Sequence, residues 1–374
     1  MRTPICDRFG IEFPIFAFSH CRDVVAAVSK AGGMGVLGAL YFTPEELEIE
    51  LRWIDEHVDG RPYGVDLVMP ATLLEEARGA DSDPAELERQ LEAMISQEHR
   101  DFVEKVLAEH GIAPLPEEAN PHHLLGWTDT TGLAQLDVAL EHPVSLLVNA
   151  LGPPPAEVVE TAHDRGIAVA ALASSPRHAL KHQANGVDII VAQGTEAGGH
   201  TGDISSVVLW PEVIDAVGPD TAVLAAGGIG RGSQIAAAIA MGAQGAWTGS
   251  IWLTVAESDM APLVTEKLLA ATSRDTVRSR SLTGKPARQL RTAWTDAWER
   301  EDSPGYLPMP LQFMLVSDAY GRINRSQDRD MVGAPVGQIV GQMNAVRPVR
   351  DVMFDLVDEY VTASERLARV TNSG

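Results

Sequence analysis

The chain has 374 residues, of which 45% are apolar and 22% are charged, and its formal net charge is −23. This composition is typical of a globular protein with a large core, and the negative charge disfavours binding to nucleic acid or to anionic membrane surfaces, which needs a basic face. Two cysteines cannot form a disulfide framework, the first residues lack the pattern of a signal peptide, and no apolar run approaches the roughly 18 residues of a membrane span, so we expect a cytoplasmic protein.

Short apolar runs alternate with helical patterns along most of the chain. Eight runs are typical of buried strands, and they begin near residues 13, 34, 63, 144, 167, 187, 221 and 244. Helical patterns lie between them, for example the one that opens with Thr43 as N-cap and Pro44 at the first helical position. Alternating strands and helices predict parallel strands, and eight such units favour a (β/α)8 TIM barrel over an open doubly wound sheet.

Two regions interrupt this alternation. Residues 71–131 follow the third strand and predict a helical insertion, with one long charged helix from Ser82 onward and then a loop that carries His122 and His123. After residue 260 the sequence turns mostly helical and ends in a helix over 349–370. We therefore predict a barrel domain, residues 1–260, and a C-terminal helical extension, residues 261–374, that caps the barrel mouth.

Glycine clusters follow the last two predicted strands. They read Gly227-Gly228-Ile229-Gly230 and Thr248-Gly249-Ser250. In (β/α)8 enzymes the active site lies at the carboxyl ends of the strands, and the last two loops commonly bind a phosphate group. One glycine pair would indicate only a tight turn, but two clusters at these places predict a phosphate site. We expect the helix that opens near Arg231 to point its N–H groups at this site as well.

Two histidines are candidates for proton transfer. His200 lies in the glycine-rich loop GTEAGGHTG after the strand near 187, and His178 begins the helix after the strand near 167. Both positions are near the predicted mouth, and histidine is the commonest general acid or base. A surface location is the alternative for each. His122-His123 has no third ligand at metal spacing, so no metal site is expected.

Several of these segments resemble a known family. The nitronate monooxygenase (2-nitropropane dioxygenase) family of FMN enzymes has similar motifs over most of residues 10–300, and this chain carries them as VAAVSKAGGMGVLGAL, YGVDLVMP, VAQGTEAGGHTG, VLAAGGIGRG and GAWTGSIWLTVAES. The glycine-histidine motif is shared with the FMN-dependent enoyl-acyl-carrier-protein reductase. The resemblance implies a barrel with FMN at its mouth. It also implies an enzyme that oxidises alkyl nitronates with O2 to a carbonyl compound and nitrite.

The resemblance also implies roles for individual residues. His178 would be the base by analogy with the nitronate-oxidising branch, whereas His200 is the important histidine by analogy with the reductase. Asp66 stands where the family usually has asparagine, Ser19 where it has methionine, and Ile251 where it has arginine. The residues expected to bind the cofactor are Ala17, Phe18, Ser19, Asp66, Gln193, Gly198, Gly199, Gly227, Gly228, Thr248, Gly249 and Ser250.

Two other functions remain open on the sequence. One is an NAD(P)H-dependent flavin reductase of quinones or enoyl thioesters, and the other is a barrel that binds FMN or a sugar phosphate without turnover. The expected partners are a small-molecule substrate and O2, without nucleic acid or membrane, and the sequence leaves the choice between a monomer and a homo-oligomer open.

Overall fold

A computed structural model describes residues 1–69, 84–114 and 129–371 of the chain. Eight parallel strands close into a barrel, in which the last strand pairs with the first. These strands are β1 (Ile15–Ser19), β2 (Met34–Gly38), β3 (Tyr63–Leu67), β4 (Leu146–Asn149), β5 (Ala168–Ala173), β6 (Ile189–Gln193), β8 (Ala222–Ala226) and β9 (Gly245–Thr248), with β7 (Gly199–His200) outside the barrel. The (β/α)8 prediction is confirmed, and each predicted strand lies within about two residues of its expected start.

The barrel interior is filled by large apolar side chains. Strand residues that alternate inward, among them Phe16, Met34 and Leu224, form one buried cluster with Ile5 and Cys6. The last two belong to α1 (Pro4–Phe9), which lies at the amino end of the strands, because Thr3 donates a hydrogen bond to the carbonyl of Gln244 just before β9. Helix α1 thus covers the amino end of the barrel.

Helices surround the barrel and bury their apolar faces against its outer side. The helices that follow barrel strands are α2 (Arg22–Lys30), α3 (Pro44–His57), α7 (Ala156–Asp164), α8 (Pro176–Ala184), α9 (Ser206–Val217) and α10 (Gly232–Ala240). The predicted cap of α3 is confirmed: Thr43 Oγ1 accepts from the N–H of Glu46 at 3.1 Å, and Glu46 Oε2 accepts from the N–H of Thr43 at 2.8 Å.

The insertion after β3 differs in one respect from the prediction. Its charged segment forms two helices, α4 (Pro84–Ala93) and α5 (Gln97–Glu109), and not one long helix. Ser96 begins α5, since its hydroxyl accepts from the N–H of His99. A further helix, α6 (Asp129–Leu140), leads to β4. The predicted loop with His122 and His123 lies outside the described residues.

The C-terminal part contains strands that we did not predict. The elements are α11 (Pro262–Ala270), β10 (Thr276–Ser279), β11 (Ala287–Leu290), α12 (Ala293–Ala297), α13 (Leu311–Ser326) and α14 (Val349–Thr371). Strands β10 and β11 are antiparallel, and β7 pairs with β11. Two short 3-10 helices, Ser250–Trp252 and Gln338–Gln342, lie in the connections. Helix α14 packs against α10 and α2, so it lies on the outer side of the barrel.

No helix in the described ranges is both long enough and apolar enough to span a membrane.

Candidate active site

A cavity of about 420 Å³ opens at the carboxyl ends of the barrel strands. Residues at the ends of β1, β3, β6, β8 and β9 form its floor. The C-terminal part, residues 261–374, contributes to its wall Phe313 and four residues of the segment 334–339, namely Ala334, Pro335, Gly337 and Ile339. A small sheet also borders it, because His200 of β7 and Thr283 of the β10–β11 turn both line the space. The cavity therefore lies where the active site of a (β/α)8 enzyme is expected.

The structure brings nearly all of the predicted cofactor residues to this cavity. The lining includes Phe18, Ser19, Asp66, Gln193, Gly198, Gly199, Gly227, Gly228, Thr248, Gly249 and Ser250. Ala17 is the exception: it is fully buried in β1 and is not part of the lining. The predicted strand-end positions thus converge, although they are far apart in the sequence.

The two glycine clusters border the cavity with backbone rather than side chains. Gly228 has a φ of +70°, which disfavours other residues, and a Cβ at Gly249 would meet no heavy atom within 4 Å. Among the hydrogen bonds of the described ranges, none uses the N–H groups of Gly228, Gly249 or Ser250 as donors. Free backbone N–H groups around an open space fit the oxygen atoms of a phosphate group.

The expected contribution of the following helix was wrong. The N–H of Gly232, at the start of α10, donates to Glu359 Oε2 at 2.9 Å. The N–H groups of Gly230 and Arg231 both donate to Gln234 Oε1, at 2.8 and 3.0 Å. The first turn of α10 therefore has protein acceptors, and a phosphate group would depend on the loop backbone alone.

The C-terminal part is tied to the glycine loops by close backbone contacts. Ser250 Oγ accepts from the N–H of Gly337 at 2.8 Å. A Cβ on Gly198 would lie 2.9 Å from the backbone of Val336 and Gly337, so the two segments approach too closely for any larger residue. The wall formed by residues 334–339 is thereby fixed against the loops that follow β6 and β9.

Asp66 is a buried carboxyl group in the cavity wall. Its exposed fraction is 4%, and its Oδ1 atom has no hydrogen-bond partner among the described residues. Burial raises the pKa of Asp66 to about 8, while the backbone N–H of Ala150 acts in the opposite direction. The carboxyl group is therefore predominantly protonated at neutral pH.

His200 is held in the wall by the C-terminal part. Its Nε2 lies 2.6 Å from Thr283 Oγ1, and the pairing of β7 with β11 fixes its backbone. Burial, together with a smaller effect of the positive charge of Lys285, lowers the pKa of His200 to about 4. The imidazole is thus neutral at pH 7.

His178, by contrast, is not brought into the cavity. It lies in the first turn of α8, its side chain is exposed, and its Nδ1 is 3.2 Å from Ser174 Oγ. The cavity lining does not include it. The two histidines that the sequence treats alike are therefore separated by the structure.

Several lining residues were missed by the sequence reasoning. His20 follows β1 directly, with Nδ1 2.8 Å from the carbonyl oxygen of Gly38, and its ring lies 5.0 Å from that of Tyr41. Its position after the first strand was a signal that could have identified it. Thr283, Phe313 and residues 334–339 come from the C-terminal part, where no local motif marks them.

The fold and the site define a (β/α)8 enzyme with a ligand cavity at the strand ends and a backbone cradle suited to phosphate. The chain belongs to the nitronate monooxygenase family, since that family's model matches residues 2–359. It is therefore an oxidoreductase of a flavin-enzyme family.

Individual relatives agree with this assignment. "Putative monooxygenase Rv1533" of Mycobacterium tuberculosis is 52% identical over 370 residues, covering 96% of this chain and 97% of that protein. Nitroalkane oxidase from Streptomyces ansochromogenes has a similar structure, with a TM-score of 0.78, 27% identity and coverage of 97% and 99% of the two chains. FabK from Thermotoga maritima matches with a TM-score of 0.74 and 24% identity over 99% of each chain, which supports the fold.

Proposed function

We propose that this protein is an FMN-dependent enzyme that oxidises alkyl nitronates with O2 to a carbonyl compound and nitrite. The observation that carries the proposal is the convergence of both glycine loops, Gln193 and His200 on one cavity, in a chain of the nitronate monooxygenase family. FMN would supply the redox chemistry, and the protein would bind the cofactor and orient the substrate.

The residues present fit FMN. The loop backbone at Gly228, Gly249 and Ser250 would hold the phosphate group, and no side chain of Gly249 limits its approach. The unpaired Oδ1 of Asp66 needs a hydrogen-bond partner, and a polar edge of the flavin ring is a suitable one. The C-terminal extension, residues 261–374, would complete the site through Phe313 and residues 334–339.

The rest of the wall favours a small apolar substrate. Most of the side chains around the space are hydrocarbon, including Leu40, Val68, Leu151, Leu172, Leu253, Met260, Leu282, Phe313 and Ile339. The described lining contains no lysine or arginine. A nicotinamide dinucleotide brings a pyrophosphate that such cations usually recognise, so these residues favour a nitronate over NAD(P)H as electron donor.

The state of His200 suits a substrate that has already lost its proton. Because burial disfavours the imidazolium form, His200 is a weak proton acceptor in the free protein. A neutral imidazole can still hydrogen-bond a nitronate oxygen without placing a second charge in the cavity. We therefore propose that His200, and not His178, contacts the substrate, and that nitronates react faster than the neutral nitroalkanes.

The test has two stages. The visible spectrum of the purified holoenzyme should show oxidised flavin bands at about 370 and 450 nm, and extracted cofactor should be FMN. O2 uptake with an alkyl nitronate is then compared with NAD(P)H oxidation in the presence of a quinone. A colourless protein that does not take up FMN would refute the cofactor, and turnover of NAD(P)H without any nitronate oxidation would show a reductase.

A further inference from the structure

The most unusual buried group in the cavity wall is the carboxyl of Asp66. It is 4% exposed, and within the described ranges Oδ1 has no hydrogen-bond donor or acceptor. An unpaired buried polar atom costs about 1–3 kcal/mol, and such atoms in folded proteins usually have a function that requires them. Since Asp66 lines the cavity, its missing partner is expected to be a ligand atom.

The surroundings of Asp66 decide which partner it needs. The backbone N–H of Ala150 favours the ionised form, but no charged side chain of the described residues is among the influences on this carboxyl. On the neighbouring strands, Asn149 at the end of β4 uses its amide for Met69 and Gly152 and is not available. As far as the described residues go, a carboxylate here would therefore be a buried charge without a counterion, which is strongly disfavoured.

We propose that Asp66 positions the cofactor as a neutral carboxylic acid, donating a hydrogen bond from its unpartnered oxygen to an acceptor atom of the bound flavin. This proposal rests on the proposed FMN function. It gives Asp66 a proton that can ionise, which the amide of an asparagine at this position would not have. An asparagine could also donate, but it could not lose its proton. Asp66 therefore makes cofactor binding depend on pH.

The other titratable groups around the cavity keep nearly the same charge between about pH 7 and pH 9. Burial lowers the pKa of His200 to about 4, and partial desolvation of its ring lowers the pKa of His20 below the ordinary value of about 6.5, so neither imidazole becomes charged above about pH 7. Tyr41 is 51% exposed, whereas Tyr63 on β3 is buried, and burial together with the Asp55 hydrogen bond raises the pKa of Tyr63. Asp259 acts electrostatically on His20 and is not among the influences on Asp66. Asp66 is thus the described lining residue whose charge changes at mildly alkaline pH.

The experiment measures FMN binding and the flavin spectrum, without turnover. The Kd for FMN is determined by fluorescence quenching between about pH 6 and pH 9 for the wild type and for Asp66→Asn. Since ionisation removes the donor and adds a negative charge beside the cofactor, the wild-type Kd should rise with a slope that approaches about tenfold per pH unit above the pKa of the free protein. The Kd of Asp66→Asn should stay flat, and its bound-flavin spectrum should not shift with pH.

The outcomes are distinct. FMN binding that varies with pH equally in wild type and Asp66→Asn would overturn the role of Asp66 and leave the proposed function intact. Absence of FMN binding at every pH would overturn both. Should Asp66→Asn fail to fold, infrared spectroscopy of the wild-type holoenzyme decides the matter: the C=O stretch of a protonated carboxyl must be present near neutral pH and shift on FMN binding, and its absence refutes the proposal.

Discussion

Ionisable side chains in the cavity and in the outer layer of the barrel differ in the partners that the protein gives them. In the cavity, Asp66 is 4% exposed and its Oδ1 has no hydrogen-bond partner among the described residues, and burial dominates the pKa shifts of Asp66 and of His200. In the outer layer, His142 lies between Asp55 and Glu48, at 2.6 and 3.0 Å. The imidazole of His142 has both of its partners within the protein, whereas the unpartnered oxygen of Asp66 is the one that we propose a ligand completes. Whether the protein itself supplies all hydrogen-bond partners of an ionisable group thus distinguishes a structural group from one that is expected to bind a ligand.

Replacing the two histidines tests this comparison most strongly. His200→Ala should lower kcat/KM with an alkyl nitronate by about 10–10²-fold, since it removes a proposed hydrogen bond to the charged nitronate, which is worth about 1.5–3 kcal/mol. His178→Ala is the matched control and should leave kcat/KM within about twofold, because its exposed side chain contacts Ser174 outside the cavity. Comparable losses in the two variants would contradict the separation that the structure shows.

The sequence predicted the barrel and the strand-end residues because these depend on local patterns. The glycine clusters after β8 and β9 are contiguous, and an apolar run identifies each strand. The roles of His178 and His200 could not be separated locally, since His200 is placed by pairing of its strand with β11, more than 80 residues later. The capping of α10 by Glu359 joins residues 127 positions apart, and no pattern near Gly232 indicates it.

The outer cluster provides the next test, through the pH dependence of stability. Burial lowers the pKa of His142, but the hydrogen bonds to Asp55 and Glu48 outweigh this and raise it above its ordinary value. Because the pKa of His142 is higher in the folded than in the unfolded protein, its protonation stabilises the fold. This stabilisation is complete below the unfolded-state pKa of about 6.5 and is lost as the pH rises through the folded-state pKa.

His142→Gln should therefore lower the free energy of unfolding by about 2 kcal/mol near pH 5.5, and by less as the pH increases to about 8.5. Urea unfolding of both proteins at several pH values measures the difference. The control is His178→Gln, whose exposed imidazole should give no comparable difference. A loss that is the same at every pH would mean that the cluster binds a neutral imidazole.

The smallest effect on stability is expected from replacing Glu359, a carboxylate of the outer layer that lies near the cavity. Glu359 Oε2 accepts from the first N–H of α10, and this helix begins directly after the glycine loop at Gly228. Glu359→Gln keeps an acceptor but removes the charge, so it should destabilise the fold by about 0.5 kcal/mol, and less at high salt.

The same variant distinguishes two models of the phosphate site. If the start of α10 pointed at the phosphate group, removing a competing negative charge from it would tighten FMN binding. Because Gly230, Arg231 and Gly232 already donate to protein acceptors, we expect the Kd for FMN to be unchanged in Glu359→Gln. Tighter binding would show that the helix dipole reaches the phosphate after all, and the boundary between cavity and outer layer would then lie further out than the hydrogen bonds indicate.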